Sequence, residues 1–371
     1  EPSNDLAHSN WLGNSQAQDA QATIQALADH LWDWVVVDHY GLDERWENAV
    51  RESTKQLMVI DDLSDRMHDC DLLLDQNFYA DMQTRYSGKV PVHCQLMIGP
   101  RYALLRKEIR KLRERIKPHA GEVKKILVFF GRVDADNYTS QAIDALVAMK
   151  SACCVDVVIG AQHPYLGQIK DVCILHGYIC HVQTTRMAEL MAEADLAIGA
   201  GGTAMWERCC LGLPAISLCV AENQRKQIVD AAEEGLLYAP TGGKNLVNTI
   251  HHHTNVLLEN PALLKLISNS ERKTVDGNGV TRIVSAMAIS DIEIRNANEQ
   301  DSQPLFEWRN HPTIRAVSKN NVPIAWEDHK KWLRVVLDDK DCELLIGFSA
   351  KRPVGVVRFD KEDDVAEVSI Y

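Results

Sequence analysis

The stretch from Leu196 to Glu207 restricts what this chain can fold into more than any other. Leu196-Ala197-Ile198 is a short apolar run of the kind that forms a buried strand. Gly199, Gly201 and Gly202 follow around Ala200, and Thr203 is placed to open a helix. Strand, glycine turn and helix N-terminus in succession make an anion site. The bare backbone lets a phosphate approach, and first-turn amides without intrahelical acceptors point at it. Glu207 lies one turn into the helix. It is too far along for a capping box with Thr203, which would need an acid or amide at Trp206. A carboxylate left free there accepts hydrogen bonds from ribose hydroxyls, as in dinucleotide folds. The plainer reading is a glycine-rich turn followed by a solvated glutamate.

The chain has 371 residues, enough for two or three domains, and 46% of them are apolar. A formal net charge of −12 argues against a broad nucleic-acid or anionic-membrane surface, while leaving room for a local basic pocket. No apolar run approaches the roughly 18 residues of a membrane span, and no signal peptide is expected. The ten cysteines include no C-x-x-C pair, so buried thiols of a cytoplasmic protein are expected. His251-His252-His253 reads as a helical run whose side chains point in different directions, and no metal site is expected.

Taken in order, residues 15–31 read as an amphipathic helix. Trp34 to Val37 is a buried strand ending in Asp38-His39-Tyr40-Gly41. Gln56 to Ile60 runs into Asp61-Asp62, and Asp71 to Leu74 into Asp75-Gln76-Asn77. Polar residues at the carboxyl ends of parallel strands face the ligand crevice of an open α/β sheet, so these three strand ends predict one lip of a cleft. His39 reads as a structural histidine rather than a base. Arg106 to Lys117 reads as a solvated charged helix before a linker at Pro118 to Gly121. Lys125 to Phe130 opens a second series of strands, with Gly131 and Arg132 behind it. Asp136-Asn137 is placed to cap a helix over 138–149, and further strands are expected at Cys154–Ile159 and Ile179–Val182. Strands alternating with helices predict a parallel doubly wound sheet. Beyond Ser290-Asp291 the order becomes strand, helix, helix and three strands.

The glycine loop, Glu207, Gly212-Leu213-Pro214, the apolar run from Ala215 to Val220 and Glu222-Asn223-Gln224, in that order, resemble the nucleotide half of GT-B-fold enzymes that handle UDP-sugars. With Val37-Asp38-His39-Tyr40-Gly41, Gly99 to Arg106, Phe129-Phe130-Gly131 and Val133-Asp134, the chain resembles the UDP-2,4-diacetamido-2,4,6-trideoxy-β-L-altropyranose hydrolase family of pseudaminic acid biosynthesis. The resemblance implies an α/β fold with two Rossmann-like lobes, residues 1–120 (N-terminally truncated) and 121–288. It implies a metal-independent, cofactor-free hydrolysis of a UDP-sugar to UDP and free sugar. Glu207 would hold the ribose. Gly131 and the amides around Gly201, Gly202 and Thr203 would bind substrate, the amides at its diphosphate. Tyr40 and Asn223 would line the reaction centre, and Gln224 would hydrogen-bond the sugar or the leaving phosphate. Residues 289–371 resemble the front half of a GNAT-family N-acetyltransferase, which would need acetyl-CoA only if complete. The family's Gly-x-Gly-His-x-x-Arg segment, whose His is the proposed base, is expected upstream of residue 1. Without such a base, worth roughly 10²–10⁴ in rate, the chain is expected to be nearly inactive. The family's second glycine is replaced by Arg132, which either contacts phosphate or blocks it. The competing readings are a UDP-sugar glycosyltransferase or 2-epimerase of the same fold, and a non-catalytic sugar-nucleotide-binding module.

Overall fold

The computed structural model describes residues 6–370 except 29, 117–120, 151, 241–244, 290–291, 319–320, 350–351 and 363–364. The chain divides into a unit from Glu1 to Ile283 and a second from Val284 to Tyr371.

The larger unit holds two parallel sheets. In the first, β1 (Trp32–Val37), β2 (Thr54–Ile60), β3 (Leu72–Asp75) and β4 (Gln95–Ile98) lie side by side in chain order. The apolar run Leu72-Leu73-Leu74 is wholly buried, as an inner strand covered on both faces must be. Its neighbour β4 has no counterpart among the expected strands. It is only four residues long and half exposed, so it carries neither alternation nor a continuous apolar run.

The second sheet takes the order β7-β6-β5-β8-β9, from β5 (Lys125–Phe129), β6 (Cys154–Ile159), β7 (Ile179–Val182), β8 (Leu196–Ala200) and β9 (Ala215–Leu218). From β5 the chain builds outward to β7, crosses back, and builds outward again on the other side through β8. Between β5 and β8 the winding reverses, and ligands of open α/β sheets sit outside the carboxyl ends of the strands at such a point. The helix Tyr138–Met149 begins where expected, with the Asn137 side chain accepting from the Ser140 amide. The Asp134 carboxylate also accepts from the amides of Tyr138 and Thr139 at 3.0 and 2.8 Å.

The helix Lys107–Arg115 is exposed along most of its charged residues, as expected, but one of its faces is packed. Ile109 is fully buried in the cluster that includes Trp206, Cys210 and Leu213 of the second lobe. Arg113 donates to the carbonyls of Val275 and Arg272 at 3.0 and 2.9 Å, and also to that of Cys210. These carbonyls lie at the C-terminal ends of the helices Thr203–Leu211 and Pro261–Thr274, where a cation also meets the negative end of the helix dipole. The linker expected at Pro118 to Gly121 lies, apart from Gly121, outside the described residues.

The second unit is an antiparallel sheet, β10 (Ile292–Asn296), β11 (Cys342–Ser349), β12 (Arg352–Glu362) and β13 (Val365–Ile370), paired in chain order. Leu305 from the helix Ser302–Asn310 and Leu333 and Val336 from Trp326–Asp338 pack on Leu344, Ile346 and Val356 of the sheet. No helix among the described residues is long and apolar enough to cross a membrane.

Candidate functional site

The helix Thr203–Leu211 starts at the residue expected, directly behind β8. Its N-cap is Gly202, at φ +91° and ψ −165°, a conformation that essentially only glycine adopts. No side chain caps the helix, so Gly202 leaves the amides of Thr203 and Ala204, which have no intrahelical acceptor, open to a ligand. Gly201 is held close as well: a Cβ there would lie 2.6 Å from Ile228 Cδ1. The Gln224 side chain faces the same turn, and its Oε1 is buried with no partner among the described residues. Asn223 lies in the helix Glu222–Glu233, and its side chain falls outside what is described.

Thr203, Ala204 and Glu207 line a cavity of about 290 Å³ outside the carboxyl ends of β5 and β6, together with Arg106, Arg132 and Gly160. A volume near 300 Å³ is the lower range of small-molecule pockets. Gly160 was not anticipated from sequence, although it ends an apolar strand. It makes room for the backbone behind β5: a Cβ on it would lie 2.2 Å from the Arg132 carbonyl oxygen, which accepts the Gly160 amide at 3.0 Å. Arg132 thus shapes this wall through its backbone while its side chain is exposed. Gly131, at φ +107°, has open space where a side chain would stand.

The Glu207 carboxylate is not free, which corrects the sequence reading. Arg106 meets it with both prongs, Nε to Oε1 at 2.7 Å and Nη2 to Oε2 at 2.8 Å. This pairing, against a smaller opposing effect of burial, raises the Arg106 pKa above its ordinary value. Glu207 itself is 6% exposed. The carboxylate is therefore covered by a basic side chain, yet the cavity beside it remains.

On the first lobe the strand-end polar residues do converge. Tyr40 Oη donates to Asp62 Oδ1 at 2.7 Å, and Asn77 Nδ2 donates to Asp62 Oδ2 at 2.8 Å. Burial, and then the bond to Asp62, pushes the Tyr40 phenol up. Burial also raises the Asp62 carboxyl. Asn77 Oδ1 in turn accepts from Trp206 Nε1 at 3.0 Å and Gln227 Nε2 at 2.8 Å, both buried in the second lobe. One amide thus joins the Tyr40–Asp62 pair to the helix that carries Glu207. The sequence pointed to Asn77 as a strand-end group but gave no sign of these partners. His39 stays local, its Nδ1 accepting from the Gly41 amide at 3.0 Å.

Below this pair, Asp75 is fully buried beside Arg85, at 3.2 Å, and Tyr86 Oη, at 3.1 Å. Burial outweighs these partners and lifts the Asp75 pKa from 3.8 to about 7. The folded protein therefore holds a proton on Asp75 between about pH 4 and 7 that the unfolded chain has released. Stability contributed by this group is full below pH 4 and declines as pH rises to 7, by roughly 1.4 kcal/mol per pH unit. For Asp75→Asn, the Tm difference from wild type should shift in the variant's favour between pH 4 and pH 7 and stay level above. A parallel pair of Tm–pH profiles would refute the shift.

These two parallel-sheet lobes, with a cavity at the carboxyl ends of the second, define a GT-B-like α/β protein. No protein-family profile matches the chain. It is 24% identical over 311 residues to an uncharacterized protein of Methanocaldococcus jannaschii, covering 81% of this chain and 62% of that one. It is 24% identical over 213 residues to the UDP-2,4-diacetamido-2,4,6-trideoxy-β-L-altropyranose hydrolase of Campylobacter jejuni, covering 57% of this chain and 75% of that one. Among solved structures, a Listeria monocytogenes protein assigned as a UDP-N-acetylglucosamine 2-epimerase superimposes with a TM-score of 0.51 at 13% identity, over 75% of this chain and 81% of that one. The chain thus spans less than two thirds of its archaeal relative. The likeness to the solved structure carries the fold, and one of the two relatives is a sugar-nucleotide hydrolase.

Proposed function

We propose that this chain binds a UDP-sugar and belongs to an enzyme that hydrolyses a UDP-linked 2,4-diacetamido-2,4,6-trideoxy sugar to UDP and the free sugar. One observation carries the reading: Glu207 and the first residues of its helix line a single cavity at the winding reversal of the second sheet. There the Thr203 and Ala204 amides suit a diphosphate and the Glu207 carboxylate suits a ribose diol. Tyr40 and Asn223 are proposed for the reaction centre and Gln224 for the sugar or leaving phosphate. Its unpartnered Oε1 beside the glycine turn is an acceptor and would suit a sugar hydroxyl rather than a phosphate oxygen. The resemblance of residues 289–371 to a GNAT-type N-acetyltransferase is proposed on element order alone. The antiparallel four-stranded sheet is compatible with it.

Calorimetry with UDP and uridine tests the seat. Glu207→Ala should weaken uridine, the half that carries the ribose, about tenfold or more, since hydrogen bonds to a charged acceptor contribute roughly 1.5–3 kcal/mol each. Unchanged affinity would remove Glu207 from the ribose. UDP release from the diacetamido sugar nucleotide, assayed without an acceptor, separates hydrolysis from transfer.

A further inference from the structure

Arg106 and Glu207 are 101 positions apart in sequence and meet on the cavity wall. The two sides of the pair are unequal. The Glu207 side chain is 8% exposed and fixed inside its helix, whereas that of Arg106 is 47% exposed. The guanidinium is the half with freedom to leave. While it stays, its fork occupies both carboxylate oxygens, the acceptors that a vicinal diol would use. Arg132 lines the same cavity, as do Thr203 and Ala204 with their open amides. The cavity thus offers an anion a helix N-terminus and the Arg106 guanidinium, the latter held back by the carboxylate.

We propose that Arg106 is a specificity switch of this site: a ribose diol arriving at Glu207 releases Arg106 to pair with a diphosphate, so the pocket selects a nucleoside diphosphate over either half alone. The proposal rests on the reading of this cavity as the UDP seat. Both halves of the ligand must break the same pair. The first to bind opens it, and the second finds its partner already released, which is positive coupling between two parts of one pocket. Arg106 is placed to do this because it stands at the start of the helix Lys107–Arg115, outside the helix whose amides face the anion.

The experiment is calorimetry on the full chain with uridine, inorganic pyrophosphate and UDP as separate probes. In the wild type, saturating uridine should raise pyrophosphate affinity roughly fivefold or more. In Arg106→Gln, uridine should bind as well as or better than in wild type, pyrophosphate more weakly, and the coupling should vanish. Glu207→Gln should show the opposite pattern: weaker uridine, tighter pyrophosphate and no coupling. The double variant Arg106→Gln/Glu207→Gln leaves no unpaired charge behind, so it guards against a folding defect. It should bind UDP weakly and show no coupling. Arg106→Gln weakening uridine and pyrophosphate by one common factor would make the pair merely structural and overturn the switch. So would coupling that survives in either single variant, or a double variant with wild-type UDP affinity. Wild type binding UDP with no coupling between uridine and pyrophosphate would refute the switch alone. Wild type binding neither uridine nor UDP would refute the UDP seat, and the switch with it.

Discussion

Asn77→Ala should lower the unfolding free energy of the larger unit by about 3 kcal/mol, through two buried donors left without an acceptor. Asn77 Oδ1 takes both the indole N–H of Trp206 and an amide N–H of Gln227, and each of these residues is almost wholly buried. Removing one partner of a buried hydrogen bond costs the desolvation of the group that remains, roughly 1–3 kcal/mol each. The cavity left by the amide adds to this, and so does the lost bond to Asp62. Chemical denaturation followed by tryptophan fluorescence measures the loss, because Trp206 sits at the centre of the change. Asn77→Asp provides the internal check. It keeps an acceptor for Trp206 and Gln227 but faces the Asp62 carboxylate with a second acid. The new acid's pKa is raised by that neighbour, so its destabilisation should ease as pH falls below the raised value. An Asn77→Ala variant within 1 kcal/mol of wild type would show that water or a rotated side chain satisfies Trp206 and Gln227. The interlobe chain from Tyr40 to Glu207's helix would then have no energetic content.

The elements legible in the sequence were those with a strong period or a continuous apolar run. β8 and the helix behind it, β5 with its Asn137-capped helix, and the four strands of the second unit could all be read from residue pattern, whereas its short helix Pro312–Val317 could not. β4 could not, because four residues with half their surface exposed resemble a turn as much as a strand. The helix Glu44–Val50 was missed for a related reason: it has seven residues, too few to establish a period. The packed face of Lys107–Arg115 was not legible for a different reason. A run of arginines on a helix gives the same pattern whether the guanidinium groups face water or donate to carbonyls of another lobe. Arg113 does the latter across 159 and 162 positions of sequence. The site divides along the same line. The glycine turn and Glu207 were visible because their chemistry is local. Arg106 on Glu207, Gly160 against Arg132, and Asn77 on Trp206 were not, because each depends on a contact between distant segments.

Gly199 joins these two kinds of information, and Gly199→Ala should be among the most damaging single changes in the second lobe. In the parallel register of β5 and β8, Phe129 faces Gly199 across the winding reversal. A Cβ at Gly199 would lie 2.3 Å from the Phe129 carbonyl oxygen and 3.1 Å from Arg208 Nη1. The first obstacle is backbone in the middle of a five-stranded sheet, so no rotamer change relieves it. Overpacking a core typically costs 1–3 kcal/mol, and a backbone clash without slack belongs at about 3 kcal/mol or above. Separating β5 from β8 also moves the turn that leads to Thr203, as well as Phe129 on the cavity wall. Stability and UDP affinity should therefore fall together. Gly167→Ala serves as the control: this glycine lies within the helix Leu166–His176 with nothing near its absent Cβ. Exchange there should stabilise by roughly 0.5–1 kcal/mol through helix propensity and the unfolded chain, with UDP binding unchanged. Thermal melts and UDP titrations on the two variants decide the matter. A Gly199→Ala protein with wild-type Tm would mean that the sheet at the reversal yields easily, and that the cavity it frames is not rigidly built.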